Sequence, residues 1–476
     1  MACEFNVNQI IEATGGKSLS VIAKSFIGVG SDSRVQLENQ IFIALRGDKF
    51  DAHEFLSQAV ANGAKCLIVD KDSAVSAELI SQITVILVKD TLTALQDLAK
   101  YWRQKITAKV FAITGSNGKT TTKEFAATIL RSQFKVHYSR GSYNNHWGVP
   151  LTILGISRFH GVAVVEIGMN HPGEITALSK IAKPDVVLCT TVGRSHIGNF
   201  NGSIEAVAEA KEEIYLANPE AIKIFNYDNE FTLNMFERVV KLKGTEKTYV
   251  YSSFSAGSEV SLRATHLTLD GLRVVGQIGG VKGETQVPVF GRHNVANLMA
   301  ASCVAIVMKM EPELIWATLS KCHSQWGRGQ LVKIENGPTV IFDAYNANPD
   351  SMAITIRNTY EIPTSDDGGR KFLVLGEMLE LGADTNKYHC ELGQLVGDAD
   401  FDGVWFFGPS YKSFEAGVKS TPFSKTLIVS ESYEEPLANK LRSMLNQRDV
   451  VVMKGSRGMK LERVMHCWDP QFATTY

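Results

Sequence analysis

The chain has 476 residues, 44% of them hydrophobic and 21% charged, and a formal net charge of −1. That is the profile of a soluble globular protein of roughly two to four domains. A charge so near balance excludes a global field that would draw in nucleic acid or a membrane surface, so anionic ligands must be held by local sites.

In chain order, Met1–Ile10 carries Glu4 and lacks an apolar core, so no signal peptide is expected. Short apolar strands are expected at Gln40–Leu45, Lys65–Val69 and Thr84–Val88, with helical spacing at Glu54–Asn62 between the first two. Leu92–Lys105 sets Leu92, Leu95, Leu98 and Trp102 on one helical face and leads out of a first domain, residues 1–105. A second domain, 106–327, opens with the strand Val110–Thr114. It continues as strand Val162–Ile167, helix Glu174–Ile181, strand Val186–Thr190, helix Glu205–Leu216 and strand Ile222–Phe225. Continuous apolar strands separated by helices predict a parallel sheet covered on both faces. From Tyr249 to Val289 the pattern alternates, with turn signals at Asp270-Gly271 and Gly279-Gly280, and antiparallel strands are expected.

The most apolar run, Leu298–Met308, is shorter than the roughly 20 residues of a spanning helix. A third domain, 328–476, repeats strand and helix through Val340–Phe342, Phe372–Leu375, Val404–Phe407, Thr426–Val429 and Val450–Met453, a second α/β unit of Rossmann-like kind. Pro363–Gly369 reads as a surface loop. The seven cysteines are scattered and form no Cys-x-x-Cys pair, which excludes a disulfide framework or zinc ribbon and fits a reducing, cytoplasmic setting.

The strongest local signal is Thr114-Gly115-Ser116-Asn117-Gly118-Lys119-Thr120-Thr121-Thr122, a glycine loop between a strand and a helix. Glycines let backbone N–H groups approach phosphate oxygens, and the helix N-terminus adds its dipole. Lys119 is expected along the phosphates and Thr120 on Mg²⁺. Ile113 stands where the longer Walker loop has glycine, so this loop is shorter. Glu166 ends a strand and His196 follows the next one, positions that face a ligand crevice in parallel sheets. Alone, Glu166 is as readily a strand-end charge and His196 a loop histidine; it is their succession after a phosphate loop that points to a metal site.

A short loop of this form resembles that of the Mur ligase family, and further segments resemble it across nearly the whole chain. Ser142–Pro150 resembles an Asn-Asn-x-x-Gly-Val-Pro segment, with His146 and Trp147 departing from the expected acidic and aliphatic residues. Gly291–Asn297, Trp326–Gly329, Phe342–Ser351, Gly376–Gly382 and Lys454–Met459 also resemble family segments, as do Ser31–Arg34 and Ala44–His53.

The resemblance implies three α/β domains and an ADP-forming ligase using ATP and Mg²⁺. Tyr345–Ser351 points to members that add D-alanyl-D-alanine to UDP-N-acetylmuramoyl-tripeptide in peptidoglycan synthesis, rather than to folate polyglutamate ligases. It implies ATP contacts from Gly115, Ser116, Asn117, Gly118, Lys119, Thr120, Thr121, Asn294 (adenine), Arg328 (γ-phosphate) and Asp343 (ribose). Substrate contacts are implied for Ser31, Ser33, Arg34, Arg46, Gly47, Asn144, Asn145, Tyr345, Asn346 and Asn348. The implied metal ligands are Thr120, Glu166, His196 and Lys211, the lysine as a carbamate. Lys119, Lys211, Arg328 and His196 are implied in catalysis. A monomer that binds no nucleic acid and inserts in no membrane is expected. A nucleotide-binding regulatory module without ligase activity is the alternative from another class, and the presence of Glu166, Lys211 and Arg328 argues against it.

Overall fold

In the computed structural model, which describes residues 3–47, 50–255, 257–363 and 368–473, strand and helix alternate as an α/β fold. Two units emerge, each assembled from separate stretches: residues 1–114, 133–188 and 213–223 in one, and 115–132, 189–212 and 224–476 in the other.

The first unit holds a five-stranded sheet in the order Lys17–Ser20, Thr84–Leu87, Cys66–Val69, Ile41–Ile43, Val29–Gly30. The Lys17–Ser20 edge is antiparallel and the other pairings are parallel. Cys66–Val69 is buried along its length, as a strand covered on both faces must be. The two outer strands carry little apolar signal, and sequence periodicity does not mark them. A parallel trio sets Val162–Glu166 between Lys109–Thr114 and Val136–Tyr138. The register pairs Glu166 with Ile113, two residues ahead of the glycine loop.

The helix Thr91–Arg103 ties this unit together. Asp90 caps its start, its Oδ1 accepting from Thr93 N at 2.7 Å. Leu95, Leu98 and Trp102 are buried on one face, and the Trp102 indole N–H donates to Ile156 O at 2.7 Å. At the other end the Arg103 guanidinium spans Ala182 O at 2.8 Å, Lys183 O at 2.9 Å and Asp185 Oδ2 at 2.9 Å. Asp185 Oδ2 also accepts from Val110 N at 2.9 Å. One guanidinium thus fixes the helix end to the start of the strand that leads into the loop.

In the second unit, Val260–Thr268, Gly271–Ile278 and Val281–Val287 form the antiparallel ribbon expected from alternation. Thr248–Tyr251 differs from that expectation: it pairs in parallel with Val260–Thr268 through Tyr251 and Val260. The helix Asn294–Val307 is apolar nearly all round because it is buried, packed on the helix Lys119–Leu130 and on the ribbon. The remaining sheet has six strands in the order Gln330–Lys333, Thr339–Asp343, Val450–Lys454, Lys371–Gly376, Gly403–Phe407, Thr426–Ser430. Gln330–Lys333 is the antiparallel edge and the others are parallel. Phe342, Trp405 and Met453 lie in the core beneath it. Because these strands share a direction, Asp343, Glu377 and Lys454 come to the same edge, where such sheets bind ligands. Of the expected loop Pro363–Gly369, residues 364–367 lie outside the described residues. No helix among the described residues is long and apolar enough to cross a membrane.

Removing the Arg103 clasp should loosen the first unit. Arg103→Ala leaves two carbonyls and Asp185 without their shared donor. It is expected to lower stability by about 2–4 kcal/mol in urea denaturation; a change below about 0.5 kcal/mol would show that water replaces the clasp.

Candidate active site

The strand Lys109–Thr114 turns into the helix Lys119–Leu130 through four residues. Gly115 has φ +141° and Gly118, heading the helix, has φ +83°. A Cβ on Gly115 would run into Thr190 Oγ1, and one on Gly118 into Asn297 Oδ1, so both positions need glycine on two grounds. The loop is fastened from behind. Ser116 N donates to Thr191 O at 2.7 Å, and Ser116 Oγ exchanges bonds with Gly193 O and N at 2.9 Å each. Thr190 Oγ1 donates to Asn117 O at 2.6 Å. Lys119 folds back so that Nζ donates to Gly115 O at 2.6 Å. Thr120 is buried and Thr121 half-buried in the first helical turn. Such a cradle of backbone N–H groups at a helix start suits a polyphosphate.

Lys211, on the helix Ile204–Leu216, is 1% exposed. Burial, and then the charge of Lys119, push its pKa down to about 7. The neighbouring Cys189 thiol is pushed up to about 11 by burial, against the pull of Lys211 and Lys119. No salt bridge joins Lys211 to a carboxylate among the described residues. The half-buried Lys119 ammonium and the buried Lys211 amine thus lie within each other's field, which a polyanion would offset.

His196 has φ +60°, and its Nδ1 lies 2.7 Å from Oε2 of Glu380, which depresses the Glu380 carboxyl pKa. Arg194 N donates to Asp350 Oδ2 at 2.7 Å. The Arg328 guanidinium lies over the Tyr345 ring at 4.3 Å, and its buried Nε has no hydrogen-bond partner among the described residues. Gly327 and Gly329, both with φ near +70°, give the backbone its path on either side. Asp343 Oδ2 accepts from Lys454 Nζ at 2.7 Å and Thr355 Oγ1 at 3.1 Å; the Lys454 ammonium also donates to Asn346 O at 3.1 Å.

Two asparagines are engaged differently from the implied ligand contacts. The Asn294 amide donates to Phe290 O at 2.7 Å, and its Oδ1 accepts from Asn297 at 2.8 Å, while Asn297 Oδ1 accepts from Thr122 at 3.2 Å. Asn294 thereby belongs to a relay that seats the loop helix. Asn348 caps the helix Pro349–Glu361 in a reciprocal box with Ser351, and its Nδ2 donates to Asn117 Oδ1 at 2.8 Å. The Asn348-x-x-Ser351 spacing signals a cap; the reach to Asn117, 231 positions away, has no local signal. Asp350, Glu380, Asn297 and Lys454 are the supporting residues that sequence reasoning did not single out for these roles.

In the first unit, a cleft of about 900 Å³ is lined by Ser31, Ser33, Arg34, Phe50, Asn145 and Trp147 among others. Ser33 Oγ donates to Gln58 Oε1 at 2.9 Å, and Arg34 forks onto Asp32 through two bonds of 2.9 Å. Asn145 Oδ1 accepts from Gly148 N at 2.9 Å. Asn144 turns to Glu166 instead, Nδ2 to Oε1 at 2.8 Å, and Glu166 is 1% exposed. Arg46 and Gly47 are not among the residues lining the cleft: Arg46 pairs with the buried Asp70, and Gly47 N donates to Phe50 O at 2.9 Å, closing the turn that presents Phe50. Asp48 and Lys49 of the same segment lie outside the described residues. Tyr345, Asn346 and Asn348 belong to the second unit.

Residues 113–305 match the Mur ligase middle domain, and residues 327–457 the Mur ligase, glutamate ligase domain. The UDP-N-acetylmuramoyl-tripeptide–D-alanyl-D-alanine ligase of Bacillus subtilis (strain 168) is 36% identical over 441 residues, 92% of each chain. That of Escherichia coli (strain K12) is 33% identical over 442 residues, again 92% of each. Among solved structures, MurF from Acinetobacter baumannii superposes with a TM-score of 0.84 at 28% identity, covering 98% of both chains. MurF ligase from Thermotoga maritima in complex with ADP superposes with a TM-score of 0.76 at 26% identity, covering 93% of this chain and 97% of that one.

The Lys211 environment carries a stability cost with a defined pH window. Unfolded, the amine keeps its proton up to about pH 10.5; folded, only to about 7. Across that window the unfolded state binds more protons, so stability rises with pH. The penalty is complete below about pH 7 and absent above about 10.5. In bicarbonate-free buffer, where the amine stays unmodified, Lys211→Met should be more stable than the parent by roughly 3 kcal/mol near pH 8. The gap should narrow toward pH 10; a less stable variant at pH 8 would contradict the burial argument.

Proposed function

The chain belongs to the Mur ligase family, and from that premise we propose that it is the ATP-dependent, ADP-forming ligase that adds D-alanyl-D-alanine to UDP-N-acetylmuramoyl-tripeptide in peptidoglycan precursor synthesis. The observation that carries the reading is Lys211, buried within the field of Lys119 at a glycine phosphate loop. The relatives at 36% and 33% identity over 92% of their length supply the substrate pair.

In this reading Gly115–Gly118, Lys119, Thr120 and Thr121 hold the ATP phosphates through N–H groups, charge and hydroxyls. Arg328 meets the γ-phosphate with a guanidinium already flattened on Tyr345. Asp343 meets the ribose while the Lys454 ammonium, donating to Oδ2, holds its side chain in place. Asn294 acts by seating the loop helix, with adenine bound beside it. An oxygen of the tripeptide carboxylate attacks the γ-phosphorus and the bond to ADP breaks, giving an acyl phosphate. The amine of D-alanyl-D-alanine then forms the C–N bond, releasing phosphate and one proton. Positioning and charge stabilisation account for most of the rate in such transfers. Ser31, Ser33, Arg34 and Asn145 line the cleft assigned to the uridine-diphosphate end, with Arg46 and Gly47 shaping its turn. Asn144, Tyr345, Asn346 and Asn348 are assigned to the substrate side, Asn348 acting through Asn117.

Mg²⁺, when bound, supplies charge to the transferring phosphoryl group; Thr120, His196 and Lys211 are its assigned ligands, and the family pattern adds Glu166. A lysine suits this donor set only as a carbamate, which reverses its charge and offers hard oxygens. Its depressed pKa leaves a neutral amine, whose nitrogen attacks CO₂ to form the N–C bond with loss of one proton. We set the domain boundaries after residues 105 and 327, giving 1–105, 106–327 and 328–476, and assign a cytoplasmic monomer.

Phosphate release is expected to require ATP, a UDP-muramoyl-tripeptide and D-alanyl-D-alanine together. Comparing substrates with either diamino acid in third position identifies the natural one, while turnover with a folate and glutamate instead would overturn the assignment. Lys119→Ala should slow kcat by more than about a hundredfold; near-normal turnover would remove the loop from catalysis. Lys211→Ala should be nearly inactive and regain part of its activity with short carboxylic acids. Full activity of that variant without additive would defeat the carbamate.

A further inference from the structure

Of the segment Lys454–Met459, only Lys454 has a place in the proposed reaction. The backbone that follows it is stitched to the loop after the strand Lys371–Gly376. Ser456 N donates to Glu377 O at 3.1 Å, and Leu379 N donates to Ser456 Oγ at 3.0 Å. A Cβ on Gly455 would sit 3.0 Å from Gly376 Cα, so glycine permits the close approach. The short turn Arg457–Met459 is thereby fixed at the edge where such a sheet binds ligands.

That turn presents one guanidinium. Arg457 lies over the Trp326 ring at 5.0 Å, and its Nη1 donates to Glu462 Oε1 at 2.6 Å. Trp326 is buried, and its indole N–H donates to Ala473 O at 2.7 Å, so the platform under the guanidinium is held from behind. Glu462 grips through one oxygen; its buried Oε2 has no hydrogen-bond partner among the described residues. The pair is therefore not a fork, and Nε and Nη2 of Arg457 have no partner among the described residues. The Arg457 side chain is 43% exposed. A guanidinium laid flat on an aromatic ring is already ordered, and its remaining donor edge matches a planar carboxylate.

The neighbouring cations have other partners. Lys454 donates to Asp343 and to Asn346 O, and Arg328 lies on Tyr345. Trp326 and Arg328 flank Gly327, whose carbonyl accepts from Tyr345 N at 3.0 Å. The platform for Arg457 and the guanidinium assigned to the γ-phosphate thus belong to one short segment. A dipeptide spans only about 7 Å from amine to carboxylate, so both ends of its site must come from neighbouring groups such as these. The amine is consumed in forming the new bond, whereas the carboxylate keeps its charge throughout. It is the group by which the acceptor can be held from binding to product.

We propose that Arg457 binds the C-terminal carboxylate of the incoming D-alanyl-D-alanine through the donor edge not taken by Glu462. The inference rests on the acceptor assigned in the proposed function and makes Arg457 a specificity residue for it. An amine without that carboxylate leaves the ordered guanidinium unmatched and is discriminated against.

The test measures phosphate release by the full-length enzyme with ATP and a UDP-muramoyl-tripeptide saturating. D-Alanyl-D-alanine is compared with D-alanyl-D-alaninamide, in which a neutral carboxamide replaces the carboxylate. The parent should favour the dipeptide by at least about 30-fold in kcat/KM. Arg457→Lys keeps a charge for Glu462 but loses the planar fork, and should lose about tenfold of that preference. Arg457→Gln should lose nearly all of it, chiefly through KM for the dipeptide. In both variants KM for ATP should change less than about threefold, which also reports that they fold. An unchanged preference for the dipeptide in either variant overturns the proposal. So does a rise in KM confined to ATP or to the UDP-linked peptide, which would mark the bound anion as a phosphate. A parent that releases no phosphate with D-alanyl-D-alanine would overturn the proposed function itself, and this inference with it.

Discussion

Lys119 and Lys211 bring two basic groups into one buried region, and the rest of the site is arranged around that conflict. Burial, and then the field of Lys119, loosen the hold of Lys211 on its proton, and its pKa falls to about 7. Lys119 answers it by bending onto the Gly115 carbonyl. The burial of Lys211 does not stabilise the fold, since a buried cation without a carboxylate partner is among the costliest groups a protein can carry. A triphosphate would bring several negative charges, and a carbamate on Lys211 would turn the second lysine into an anionic oxygen ligand for its counter-cation. The glycines follow from the packing behind the loop: at Gly115 a methyl group would collide with Thr190 and at Gly118 with Asn297.

The supporting structure delivers these groups by ordinary means. Parallel strands end on one edge, so Asp343, Glu377 and Lys454 arrive together although 111 positions separate the first from the last. The loop is held from behind by Thr190, Thr191 and Gly193 and from the side by Asn348 and Asn297. Asn348, Asp350 and Glu380 form a line of carboxamide and carboxylate groups reaching toward the phosphate loop and the His196 turn. Through them, order in one segment becomes order in the other. Closure over a nucleotide that excludes water from an acyl phosphate needs this kind of coupling.

Much of this was legible in the amino-acid sequence. The apolar strands identified the parallel sheets, the glycine signal fell on the loop between strand and helix, and a lysine set among glutamates at Glu209–Glu213 could be weighed as a buried amine. The side chains that read ambiguously were the carboxamides and the exposed arginines. Asparagine at a helix start looks the same whether it binds a ligand or satisfies backbone, and the side chains of Asn294 and Asn348 both bond to backbone. Arg46 carried a plausible phosphate contact, but its partner is Asp70. Thr248–Tyr251 reads with the alternating strands that follow it, and local composition does not distinguish a parallel from an antiparallel partner. The contacts of Glu380 and Asp350 join residues more than 150 positions apart, and no periodicity records such a pairing.

The chemistry assigned to this site requires an oxygen of the tripeptide to pass through an acyl phosphate. Labelling both oxygens of the free tripeptide carboxylate with ¹⁸O and weighing the phosphate released during turnover with D-alanyl-D-alanine tests this directly. One ¹⁸O atom per phosphate, with the other kept in the new amide carbonyl, is the expected result. Unlabelled phosphate would mean that the carboxylate is never phosphorylated and that the two lysines serve some other anion.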